Sequence, residues 1–75
     1  VQGLVVECDP EPRHGEVPVR FGWPGRMRSV VEVLDCWEDE AHRDFRLRGD
    51  DGGLYILRHD LRLDQWELHA FRDSA

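Results

Sequence analysis

The sequence predicts an all-β domain, with about five mainly antiparallel strands in series rolled into an SH3-like barrel or a strongly curled sheet. Three observations lead there. Residues 43–58 read as two strands around a Gly-Asp-Asp-Gly-Gly turn. Residues 17–23 alternate apolar and polar with the period of a half-buried strand. A Trp-Pro-Gly-Arg turn then leads at once into another apolar run rich in valine. At 75 residues the chain is one domain. A chain of this size buries roughly 60% of its unfolded surface, so its core has to be small.

Taken in order, residues 1–6 are mostly apolar and read either as an edge strand or as a linker remnant. Residues 7–16 are acidic and proline-bearing, and prolines remove donors and fix φ, so residues 1–16 are expected to be an arm or linker. The domain itself is expected over residues 17–73. Val17, Val19, Phe21 and Trp23 share one face of the first strand, with Pro18 marking its start or an edge. Pro24 presets φ and Gly25 accepts a positive φ, which fits a type II turn.

Residues 27–37 are ambiguous. Val30, Val31, Val33, Leu34 and Trp37 fit a helical face, yet the valines and the preceding turn argue for a strand. The expectation is a long strand, buried on both faces near its middle or carrying a bulge. Residues 38–42 are expected to be a solvated loop or one helical turn. The central hairpin follows, its turn rich in residues that accept positive φ. Residues 59–64 hold a turn around Asp60 and Asp64. Residues 65–71 form the last strand, with Trp66, Leu68 and Ala70 on one face, and residues 72–75 a frayed tail. The expected core is Val19, Phe21, Val31, Val33, Phe45, Leu47, Leu54, Ile56, Trp66 and Leu68.

Composition narrows the function classes. The net charge is −6, from 10 basic and 16 acidic side chains. That works against non-specific nucleic-acid binding, which draws its affinity from phosphate neutralisation. Every basic side chain is arginine. This reflects either coding bias or selection of planar, stacking cations. No long unbroken apolar run suggests a membrane span and no signal-peptide pattern is seen, so a cytoplasmic setting is expected. Cys8 and Cys36 lack metal-site spacing and are expected to be unbridged.

Several motifs form an ordered series: Phe21-Gly-Trp-Pro-Gly-Arg, Val31-Glu-Val-Leu-Asp-Cys-Trp, Asp51-Gly-Gly-Leu-Tyr-Ile-Leu-Arg-His-Asp and Trp66-Glu-Leu-His-Ala-Phe-Arg-Asp. Together they resemble a small bacterial domain family of unknown function, over about residues 17–73. Residues 43–71 are also similar to the C-terminal tail of ImuB-type proteins, inactive relatives of Y-family DNA polymerases. The first resemblance carries no activity. The second implies a recruitment tail near DNA-repair machinery. The chain departs from both patterns at Pro24, where a basic residue is expected, and after Trp37, where a tryptophan-rich insert is missing.

Catalysis is not expected, and neither is a cofactor. His59-Asp60 is the one acid–base pair in sequence, but neighbours on a strand point to opposite faces. Cys36 stands among acids that oppose a reactive thiolate, and reads as a small buried hydrophobe. His14, His42, His59 and His69 are scattered, with His59 and His69 a weak pair across the last two strands. The expected role is a non-enzymatic protein-interaction module, with Trp23, Arg26, Arg28, Trp37, Tyr55 and Arg58 as its surface, since Trp and Arg most often anchor interfaces. The alternative partner is single-stranded nucleic acid, held by the same arginines with Arg46 and Arg48 beside aromatic platforms.

Overall fold

The computed structural model describes residues 3–13 and 15–72. Six strands follow one another: β1 (Val5–Glu11), β2 (Gly15–Trp23), β3 (Arg26–Glu38), β4 (His42–Gly49), β5 (Leu54–Asp60) and β6 (Gln65–Arg72). They form one antiparallel sheet in chain order, strongly curled into a half-barrel. The all-β expectation holds. β1 and β6 are the outer strands, and among the described residues they do not pair with each other.

The additional strand is β1, built largely from residues expected to be an arm. Its register runs from Val5↔Gly22 to Glu11↔Gly15. An outer strand has one free edge, where a residue without an N–H costs no ladder bond, so Pro10 is tolerated. Pro18 stands beside an irregularity in the β1–β2 ladder, where β2 is not paired to β3. Val1, Gln2, His14 and residues 73–75 lie outside the described residues.

β3 organises the curl. Arg26 to Ser29 pair with β2, and Val30 to Glu38 pair with β4. At that junction the β4–β5 turn locks on: Asp50 N–H donates to the Ser29 carbonyl at 2.9 Å, and Ser29 N–H donates to the Asp50 carboxylate at 3.2 Å. Two register shifts interrupt the β3–β4 ladder, leaving Val31 and Leu34 as extra residues. Each bulge repeats a face before alternation resumes. Val30, Val33 and Cys36 therefore all turn inward, opposite Gly49, Leu47 and Phe45. The helix-like spacing of three in the sequence is the signature of two bulges in one strand.

The turns follow their residues. Gly25 has φ 81° and Gly52 φ 83°, as the Trp-Pro-Gly-Arg and Gly/Asp turns require. Asp39 accepts from the Ala41 and His42 N–H groups at 2.8 Å each, closing the β3–β4 connection. Asp60 accepts from Arg62 and Leu63 N–H groups in the β5–β6 connection, which ends on Asp64 at φ 51°.

The core is Val17, Phe21, Phe45, Leu47, Tyr55 and Leu57, with Val30, Val33, Cys36 and Trp66 packed against it. Full burial of each such apolar side chain contributes about 1.5–3 kcal/mol. The expected core needs correction. Val31 is 64% exposed because its bulge turns it outward. Leu54 and Ile56 are only half-buried, because Tyr55 and Leu57 are the inward pair on β5, opposite Leu47 and Phe45. Val19 is half-buried and Leu68 exposed.

Candidate functional site: an aromatic hollow on the concave face

The β2–β3 hairpin sets the site. Trp23 pairs with Arg26 and Phe21 with Arg28, so these four side chains share one face of the hairpin. Gly22 lets the hairpin close tightly. Its φ is 146°, and a Cβ there would stand 2.3 Å from the Arg26 carbonyl oxygen. That face meets Tyr55 of β5 and Leu68 of β6 across a hollow of about 250 Å³, lined by Phe21, Gly22, Trp23, Arg26, Arg28, Tyr55 and Leu68. Two of the lining rings, Phe21 and Tyr55, meet at its floor, and Phe71 backs Tyr55 beside it. Phe21 meets Tyr55 edge-on at 4.8 Å, and Phe71 tilts against Tyr55 at 4.7 Å.

One side of the hollow is braced by charge. Arg28 donates to Asp50 at 2.8 Å and lies 3.6 Å from Asp51. The Tyr55 hydroxyl donates to Asp51 at 2.6 Å, and the Gly53 N–H donates to the other Asp51 oxygen at 2.9 Å. Burial, then the Asp51 hydrogen bond, pushes the Tyr55 phenol up to about 12. The same hydrogen bonds from Tyr55 and Gly53 hold the Asp51 carboxyl below its ordinary value. The hydrogen bond to Asp50 raises Arg28, which stays a cation. Arg26 differs: among the described residues it has no ion pair and no side-chain hydrogen bond. Trp23 beside it is 44% exposed.

The structure divides the expected surface in two. Trp23, Arg26, Arg28 and Tyr55 line the hollow. Trp37, Arg46, Arg48 and Arg58 lie on the opposite, convex face, because they pair within the rows Trp37–Asp44–Arg58 and Asp35–Arg46–Ile56 and the Glu32–Arg48 row beside them. There each arginine is engaged. Arg46 meets Asp35 at 2.7 Å. Arg58 grips Asp44 with two hydrogen bonds of 3.0 and 3.1 Å, and Asp44 is buried. Arg48 donates to the Gly52 carbonyl at 3.3 Å. Arg20 pairs with Glu7 at 3.3 Å. Trp37 is exposed but has these ion pairs as neighbours. Trp37 and Arg58 therefore do not share a surface with Trp23 and Tyr55, since the strand period sends them to the other face.

Sequence reasoning missed Leu68 and Phe71, 37% and 52% exposed. A register shift between Ile56 and Leu57 puts Leu68 opposite Leu57 and Phe71 opposite Tyr55, both on the concave side. His69 falls within that irregularity, so it does not face His59. His59 instead stacks on Trp66 at 4.3 Å and meets Asp64, not Asp60, at 2.7 Å. Cys8 and Cys36 are free, and burial raises the Cys8 thiol. Among the described residues no three His, Cys, Asp or Glu side chains gather as a metal site, and no helix is long and apolar enough to cross a membrane.

Comparison of the chain with protein-family models, curated proteins and solved structures gives no match.

Proposed function

We propose that this domain is a non-enzymatic protein-interaction module whose binding surface is the concave hollow. The observation that carries this reading is the company Trp23 keeps. A half-exposed Trp23, an Arg26 with no ion pair among the described residues and an exposed Leu68 border one concavity over an aromatic floor. Interface anchors are drawn from Trp, Tyr and Arg seated in such hollows. The convex arginines support the reading by contrast. Arg46 and Arg58 have their charge answered by Asp35 and Asp44, so they have little left to give a phosphate backbone. The resemblance to ImuB tails adds a setting, recruitment near DNA-repair proteins, as part of the same proposal.

Selection from a displayed library of random peptides tests this. The expected result is peptides whose binding is lost in Trp23→Ala and kept in Arg46→Ala. Titration with oligothymidine gives the competing outcome. Tryptophan quenching that fades as salt rises, and is lost in Arg46→Ala, would replace the protein partner with single-stranded nucleic acid.

A further inference from the structure

The seam left by the half-barrel is the most informative unclaimed feature. β6 is the last strand of the sheet, paired through one edge to β5. Among the described residues no strand pairs with its other edge, and such an edge is the template that strand addition uses. Leu68 and Phe71 stand exposed on the concave side of that strand, next to the hollow. The register shift is what places two residues three apart on one face. An added strand would lay its own concave-side residues against them.

Charge selects the occupant. The chain carries −6 overall, yet two arginines and, among the described residues, no acidic side chain line the hollow, with Asp50 and Asp51 meeting Arg28 and Tyr55 at its side. Arg28 is answered by Asp50 and Asp51; Arg26 is not. One arginine without an ion pair among the described residues thus borders an apolar, aromatic strand edge. A long polyanion would meet the net negative charge of the rest of the surface, whereas a short carboxylate-bearing segment meets only the local cations.

Resting on the proposed interaction role, we infer that the ligand is a short acidic peptide in extended form. It adds a strand to the free edge of β6, places an aromatic or aliphatic side chain in the hollow against Trp23 and Leu68, and gives a carboxylate to Arg26.

Parallel selections from one random-peptide library, on the wild-type domain and on Arg26→Glu, test this. Arg26 is exposed and has no ion pair among the described residues, so the variant keeps the fold. Wild type enriches peptides combining an aromatic or aliphatic anchor with Asp or Glu. Arg26→Glu weakens those peptides about tenfold and enriches basic ones, because like charges face each other at the rim. Hydrogen exchange on the bound domain shows new protection of β6 amides that face away from β5. Neutral or basic peptides that bind at Trp23 in wild type, or binding that leaves those amides unprotected, overturn the acidic strand while the interaction role stands. No enrichment, or enrichment indifferent to Trp23→Ala, overturns both. Self-association of the free domain that Trp23→Ala abolishes also overturns it, making the occupant a second copy.

Discussion

Arg26 and Arg46 are both strand-borne, exposed arginines on one curled sheet, yet they differ in what answers them. Arg46 lies on the convex face, where the cross-strand partner is Asp35 at 2.7 Å. Arg26 lies at a hairpin end on the concave face, with Trp23 opposite and no ion pair among the described residues. The same contrast holds for the tryptophans. Trp37 stands above a row of completed ion pairs, while Trp23 borders a hollow. Residue type alone therefore does not mark a binding surface; the face of the sheet and the local pairing decide.

The largest expected effect tests the floor that both faces share. Phe45 is fully buried and stacks on Trp66 at 5.8 Å. Phe45→Ala should cost about 3–5 kcal/mol in urea unfolding and so remove both surfaces together. Next comes the hairpin that forms the concave side. Gly22→Ala should cost about 1–3 kcal/mol, because its Cβ collides with the Arg26 carbonyl at a φ that favours glycine. Its binding loss should exceed its stability loss, since the hairpin holds Trp23 and Arg26.

The Tyr55–Asp51 bond gives a smaller, pH-dependent effect. Asp51 is held below its ordinary value in the folded chain, so its contribution is present above the unfolded carboxylate range, about pH 4, and is lost as pH falls through the folded value. The urea midpoint of wild type should fall over that acid range, and Tyr55→Phe should flatten the fall. At the other end, the phenol is raised to about 12. Its contribution is complete below the unfolded value, about 10, and is lost as pH rises through 12. Tyr55 is the sole tyrosine, so phenolate absorbance reads it directly. The smallest effects separate the two faces. Arg46→Ala should change stability by about 0.5 kcal/mol or less and leave peptide binding intact. Trp23→Ala should be similarly mild for stability, yet abolish binding.

The sequence made much of this fold legible where a turn demanded particular residues. The Gly/Asp hairpin and the Trp-Pro-Gly-Arg turn could be read because positive φ restricts the choice to few side chains. β1 escaped because its prolines argue against pairing in general but not on an outer strand. The phase of β5 was hidden by four consecutive apolar residues, Leu54 to Leu57, which fit either face equally. One signal was present: counting across the turn from Leu47 in a symmetrical hairpin puts Tyr55, not Leu54, opposite it. Half of the candidate site was visible as residue types, in Trp23, Arg26, Arg28 and Tyr55. Leu68 and Phe71 were not, because a ladder irregularity that no residue pattern announces brings both to the concave side.

The concave hollow, and not the convex arginine face, is the proposed binding surface. The chain has three tryptophans, so a nitrogen–proton correlation spectrum carries three indole signals, one for each region of interest. Titration with the most enriched library peptide should shift the Trp23 indole strongly and leave the Trp37 indole in place. A Trp37 indole that moves while Trp23 stays still would contradict the account and return the binding surface to the convex face.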